Sequence, residues 1–367
     1  MSERELNAAI VGLGYWGPNL LRNFTASTHW NVRWIVDADE GRLARMQRLY
    51  PRSYASRDFD SVIADPDVDL VAIATPPSMH AAMAGRAIAA GKHVLVEKPL
   101  AENSTDARRL VDAAERRGVK LFTDHTFLYT GAVEAMHRLN AEGALGEMYY
   151  AESQRVNLGL FQQTNVIWDL GPHDVSILNR VFGSTPEAVS CQARACVNRD
   201  VWDMAFMLLR YGTCVAQVHL SWLSPVKVRR MMLSASARML VWDDVDPSEK
   251  VRIYDKGVVL NPSSETLAKQ MVSYRLGEVR IPMVDDREAL GKLIDDAWES
   301  IVHGRPARVE GAFGYDVVCC LEAACASARA DGKWIEIGEA LAVSSITGTI
   351  TNERAGVVPE RFTSPST

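Results

Sequence analysis

The chain has 367 residues, of which 47% are apolar, 23% charged and 8% aromatic. Those proportions describe a globular protein of roughly two domains at about 150 residues each and exclude disordered, collagen-like and coiled-coil classes. Its 40 Lys and Arg against 46 Asp and Glu leave a formal charge of -6, the wrong sign for a dedicated nucleic-acid binder.

Taken in chain order, the first third alternates continuous apolar runs with helical patterns. The runs Ala8–Val11, Val32–Val36, Leu70–Ala74, Val94–Val96 and Leu121–Phe122 read as strands buried on both faces. Between them, helices are predicted from Asp39 to before Pro51, over Ala81–Ala90 up to Gly91, and over Thr105–Arg117 up to Gly118. Strand and helix in this rhythm build a doubly wound parallel sheet.

After Phe127 the rhythm changes. Helices are predicted from Gly131 to Glu142 and from Pro172 to Phe182. Strand-like segments then follow one another at Ala188–Val197, Trp202–Arg210, Val215–Trp222, Val228–Ser234 and Val251–Tyr254, with a hairpin turn at Tyr211-Gly212. Strands without intervening helices imply an antiparallel sheet. Helices return at Arg287–His303 and Tyr315–Ala330, and a last strand at Trp334–Ile337. The expected division is residues 1–126, 127–342 and a Ser-, Thr- and Pro-rich arm or tail at 343–367.

No stretch is read as reaching the 18 or so apolar residues of a membrane span, and the N-terminus lacks a signal-peptide cleavage pattern. The six cysteines show no C-x-x-C pair and no zinc spacing. They are expected to be buried, reduced thiols of a cytoplasmic protein without a metal site.

Gly12-Leu13-Gly14-Tyr15-Trp16-Gly17 is a G-x-G-x-x-G loop placed directly after a strand and before a helix carrying Pro18. That is the context of a dinucleotide site, with the pyrophosphate on a helix N-terminus. Asp37, ending the second strand, is the acidic partner that accepts ribose hydroxyls and favours NAD over NADP. Arg42 leaves a 2′-phosphate, hence NADP, as the alternative. Thr75, Pro76 and His80 follow the next strand, and Glu97-Lys98-Pro99 the one after, so these ends are expected to line the cofactor crevice. His80 reads equally as a first-turn helix residue.

With that loop, Glu97-Lys98-Pro99 and Asp169-Leu170-Gly171-Pro172-His173 make the sequence similar to the glucose-fructose oxidoreductase / inositol dehydrogenase (Gfo/Idh/MocA) family over about residues 7–340. The resemblance implies an α/β protein: a Rossmann domain, then a C-terminal α+β domain whose open, mainly antiparallel sheet mediates homodimers or homotetramers. It also implies hydride transfer between a nicotinamide and a hydroxyl carbon of a sugar, cyclitol or related polyol. Lys98 matches the lysine of the E-K-P motif, and Asp169 with His173 the D-x-x-x-H pair. The phrasing VGLGYWGPNL…DLGPHD is similar to members that oxidise a hexose C3 hydroxyl, often to prepare transamination.

The chemistry of these residues agrees. Alcohol oxidation needs a group that takes the hydroxyl proton, which suits His173. Asp169, four residues earlier on one helix face, is placed to orient the imidazole or to bond substrate. Lys98 is placed to steady a developing alkoxide. His125, Arg155, Asn165 and Trp168 are candidate substrate contacts, with core packing the competing role for His125 and Trp168. Many members carry a phenylalanine-arginine-phenylalanine type segment where this chain reads His125-Thr126-Phe127-Leu128. The alternatives are an NAD(P)H-dependent keto-sugar reductase and a catalytically silent dinucleotide sensor.

Overall fold

The computed structural model describes residues 4–159, 164–197, 199–260 and 272–337. The arm expected at 343–367 lies outside the described residues. Six parallel strands come first: β1 (Leu6–Val11), β2 (Trp30–Val36), β3 (Tyr54–Ser56), β4 (Leu70–Ile73), β5 (His93–Glu97) and β6 (Leu121–Asp124). They lie in the order β3-β2-β1-β4-β5-β6, the doubly wound arrangement of a dinucleotide-binding domain. The connecting helices are α1 (Gly17–Ala26), α2 (Glu40–Leu49), α3 (Phe59–Ala64), α4 (Pro77–Ala89) and α5 (Ser104–Arg117). Local chemistry sets their ends. Asp39 and Asn103 cap α2 and α5 by accepting backbone N–H bonds, and Gly118 closes α5 at φ 70°.

A short 3-10 helix, Thr126–Tyr129, leads into α6 (Gly131–Ala141). Next come β7 (Met148–Leu158), α7 (Val166–Phe182), β8 (Ala188–Arg194), β9 (Met204–Tyr211), β10 (Cys214–Ser221), β11 (Leu223–Ala235), β12 (Met239–Asp243) and β13 (Val251–Tyr254). The remaining elements are β14 (Gly257–Leu260), β15 (Val272–Arg275), β16 (Val279–Arg280), α8 (Ala289–His303), α9 (Gly311–Arg329) and β17 (Ile335–Glu336). The second sheet runs β16-β13-β12-β11-β7-β10-β9-β8-β17. It is mainly antiparallel, but β7 and β10 pair in parallel, so it is mixed. One apolar core extends from the first sheet (Ile10, Phe122) to the second (Val218, Leu233) through α7 and α9.

Four expectations change. α7 begins at Val166 and not at Pro172, because Asn165 accepts from the amides of Ile167 and Trp168 and Pro172 is tolerated inside the helix. α4 begins at Pro77, which places His80 within the helix. Five cysteines are buried, but Cys196 is exposed. Finally, α9 has the length and apolarity of a membrane span. It nonetheless carries Asp316 and Glu322 and packs against α5, α7 and β8.

Candidate active site

The glycine loop follows β1. Gly12 has φ +89°, and a Cβ there would lie 2.6 Å from the carbonyl oxygen of Ala74. A Cβ on Gly17 would fall 1.8 Å from the carbonyl oxygen of Gly12, so helix α1 sits against the loop as only glycine permits. Gly14 differs: a Cβ there would meet nothing nearer than the Arg42 guanidinium, at 3.7 Å. The loop is thus tight at its first and third glycines and open at its second, where a pyrophosphate must approach. No side chain caps α1, which leaves its N-terminal dipole for phosphate oxygens. These features fit a dinucleotide.

Asp37 braces this loop. Its carboxylate accepts from the amides of Leu13 at 2.6 Å and Asp39 at 2.8 Å. Tyr15 projects into solvent, 93% exposed. Trp16 turns the other way, and its Nε1 donates to Asp124 at 2.6 Å. Asp124 ends β6 directly opposite Glu97, the end of β5. Burial, then the neighbouring Asp124, pushes the Glu97 carboxyl well above the usual carboxylate range. Asp124 is raised by burial but receives hydrogen bonds from Thr126 and Trp16. Glu97 thus reaches the glycine loop through Asp124 and Trp16.

His80, expected at the cofactor, is fully buried. Its imidazole lies between the carbonyls of Pro99 (Nδ1···O 2.8 Å) and Thr75 (Nε2···O 2.8 Å). It ties the end of β4 to the loop after β5. Pro76 is exposed beside Thr75, whose buried Oγ1 has no partner among the described residues.

Lys98, Asp169 and His173 come together where β5 ends against the first half of α7. Lys98 Nζ donates to the Asp169 carbonyl at 2.9 Å and lies 3.7 Å from its carboxylate. The other Asp169 carboxylate oxygen accepts from Trp222 Nε1 at 3.0 Å. Among the described residues no hydrogen bond joins Asp169 to His173; the carboxylate positions Lys98, not the imidazole. His173 packs its ring edge-to-face on Phe127, with centroids 5.0 Å apart. Its Nδ1 is buried without a partner among the described residues. Burial, and then the charges of Lys98 and Arg155, hold His173 well below the usual histidine range. It is a neutral imidazole at neutral pH.

The candidate substrate contacts separate by role. Asn165 is the cap of α7. Arg155 is buried and paired with Asp174 through Nε at 2.6 Å, with its guanidinium 4.7 Å from the Phe127 ring. His125 is 1% exposed and packs edge-to-face on Phe313, and burial lowers it to about 3. Trp168 is half-buried against the core. Trp222 and Phe127 escaped the sequence reading. Trp222 closes the strand-like run Val215–Trp222 and lies just past the end of β10, and nothing in its neighbours signals a bond to Asp169.

The family model for an oxidoreductase with an NAD-binding Rossmann fold matches residues 6–125, and that for the GFO/IDH/MocA C-terminal domain matches residues 133–241. The chain belongs to the Gfo/Idh/MocA oxidoreductase family. Its members are NAD(P)-dependent oxidoreductases, and so is this chain. UDP-N-acetylglucosamine 3-dehydrogenase of Acidithiobacillus ferrooxidans is 27% identical over 320 residues, 85% of this chain and 94% of that enzyme. D-apiose dehydrogenase of Paraburkholderia graminis is 26% identical over 226 residues, and that match spans 59% of this chain and 60% of that enzyme. GenD2 from gentamicin A biosynthesis, solved in complex with NAD, superposes with a TM-score of 0.76 at 26% identity, covering 92% of this chain and 97% of that one. The relatives of this Gfo/Idh/MocA protein thus include sugar and aminosugar dehydrogenases, and the Rossmann sheet and mixed second sheet are the family's two parts.

Proposed function

We propose that the protein is an NAD-dependent dehydrogenase that oxidises a ring secondary hydroxyl, at C3 in the first instance, of a sugar, sugar nucleotide, aminosugar or cyclitol. The observation that carries this reading is that Lys98, Asp169 and His173 meet at the end of β5, on the carboxyl edge of the parallel sheet that also carries the glycine loop. Gly12, Gly14 and Gly17 would hold the pyrophosphate, and Asp37, Thr75 and Pro76 would line the rest of the cofactor crevice. A bound nicotinamide supplies the hydride acceptor. His173, neutral and only partly buried as a residue, takes the hydroxyl proton. Lys98 holds its ammonium on the reacting oxygen and stabilises the developing alkoxide. Asp169, fixed by Trp222, keeps Lys98 in place. Trp168 is assigned to the substrate wall and the buried His125 to its support against Phe313; Asn165 and Arg155 position α7.

One observation favours a second cofactor reading. The Arg42 guanidinium lies beside Gly14, within reach of a ribose 2′-phosphate, which would make the enzyme an NADPH-dependent keto-sugar reductase. The test is NADH or NADPH formation across free hexoses, inositols, nucleotide sugars and aminoglycoside fragments, and NADH or NADPH consumption with the corresponding keto-sugars. Turnover of a sugar class with NAD supports the proposal. Turnover confined to keto-sugars and NADPH replaces it with the second reading. Absence of binding by either cofactor overturns both.

The second sheet also supports an oligomer. Its inner face is covered by α7 and α9, whereas Tyr150, Phe206, Leu208 and Val215 stand exposed on the outer face of β7, β9 and β10. We assign that face to a homodimer or homotetramer contact. The buried thiols agree with a cytoplasmic setting.

A further inference from the structure

A cavity of about 310 Å³ opens between α6, the second half of α7 and the segment before α9. Glu134, His137, Arg138, Arg180 and Arg308 line it. Three guanidinium groups and one carboxylate meet there, a local excess of positive charge in a chain whose formal charge is -6. Glu134 is already engaged: it binds Lys292 at 2.6 Å and Arg308 from the other side. The Arg180 guanidinium makes no hydrogen bond or ion pair among the described residues, although it is half-buried. Burial, then the charge of Arg308, holds it below its ordinary value. The buried His137 Nδ1 also has no hydrogen-bond partner of good geometry there. Glu134 and Asp296 act on the Arg180 charge from nearby, but Glu134 is shared between Lys292 and Arg308, and Asp296 already accepts from Tyr129 and the Arg308 amide. A half-buried guanidinium that makes no ion pair of its own is costly unless an anion joins it.

We propose that this cavity is a second ligand site, which binds a phosphate-bearing small molecule through Arg138, Arg180 and Arg308. Convergent guanidinium forks match the tetrahedral face of a phosphate, offering paired N–H donors to several oxygens. The volume exceeds one phosphate and lies at the lower end of small-molecule sites, so a phosphorylated metabolite fits better than the bare ion. The site is separate from the reacting centre. Arg180 stands seven residues beyond His173 on α7, two turns and about 10 Å along the axis at 1.5 Å per residue. The 3-10 helix links the two places: Phe127 packs on His173, and Leu128 lines the cavity. A ligand there touches the same helix that carries Asp169 and His173.

The test is calorimetric titration of the full chain with inorganic phosphate, at constant ionic strength against chloride and with NAD saturating. Saturating NAD occupies the glycine loop, the other place where phosphate would bind. Binding that persists under NAD and weakens at least tenfold in Arg180→Gln supports the site. Arg138→Gln changes an exposed side chain and serves as a second variant with little bearing on folding; it is expected to weaken binding about threefold. Phosphate displaced by NAD, phosphate that chloride matches, or equal binding by the parent and both variants overturns the proposal.

Discussion

His173 and Lys98 are the residues on which the chemistry turns, and they fail in distinguishable ways. His173→Ala removes the proton acceptor, which is worth roughly 10²- to 10⁴-fold in general base catalysis. Lys98→Met removes the donor to the reacting oxygen, worth on the order of 10²- to 10³-fold. Both losses are expected in kcat, with NAD affinity unchanged in a fluorescence titration; equal loss of cofactor binding would remove these residues from the chemistry. The pH profile gives a second reading. Because burial and its cationic neighbours lower His173, the base stays unprotonated as pH falls through the ordinary histidine range. The acid limb of the oxidation rate is therefore expected below pH 6.5, the unperturbed value near which an exposed histidine would switch. The same shift acts on stability with a definite sign. The unfolded chain binds a proton near pH 6.5 that the folded chain refuses, so this contribution is lost as pH falls below that value. At this scale motifs in the sequence single out Gly12, Lys98 and His173 as candidates, and the fold brings Lys98 and His173 together. The sequence was uninformative about partners. That Asp169 would pair with Lys98 and Trp222 rather than with His173 depends on which side chains the fold brings across from β10 and β5.

Helix α7 shows what element-level patterns carry and what they hide. Pro172 reads as a first-turn residue, because proline is most at home there. The helix in fact starts six residues earlier, where Asn165 supplies the cap, and Pro172 leaves the Trp168 carbonyl without its i+4 amide donor. Tertiary packing outweighs that loss. Asp174 is the anchor: it accepts from Arg155 and from Ser153 Oγ at 2.7 Å, joining α7 to β7 with both charges buried. Asp174→Ala leaves the Arg155 charge buried and uncompensated, so a loss of about 3–5 kcal/mol is expected in chemical denaturation. A loss below about 1 kcal/mol would mean that water reaches the pair. The strands of the first sheet were legible because burial on both faces makes them continuously apolar. β3 and α3 were not, since β3 is a three-residue, largely exposed edge strand. Nor was the parallel pairing of β7 with β10, because adjacency between distant strands leaves no local trace.

For the whole molecule, the order of strand and helix was enough to specify the first sheet, since right-handed crossovers leave few alternatives. The second sheet could be recognised as strand-rich but not ordered. Its asymmetry has a consequence that the sequence alone did not locate. Along β10 the even positions Ala216, Val218 and Leu220 are buried against the helices, while Val215, Gln217 and His219 face outward. Register places Leu208 opposite Gln217 and Phe206 opposite His219, whose rings stack 4.4 Å apart. This outer face sets the apolar Tyr150, Phe206, Leu208 and Val215 among the charged Glu152, Arg210 and Arg230, an apolar patch with a charged rim as interfaces have. The double variant Phe206→Glu, Leu208→Glu puts like charges into the centre of any two-fold contact made by this face, where each meets its own symmetry mate or a neighbour of it. Light scattering after gel filtration is expected to give a dimer or tetramer for the parent chain and a monomer for the variant. Because neither side chain touches the core, the variant should keep its unfolding midpoint within a few degrees apart from the stability the assembly itself adds. An oligomer unchanged by both charges would place the contact elsewhere and leave this face to water.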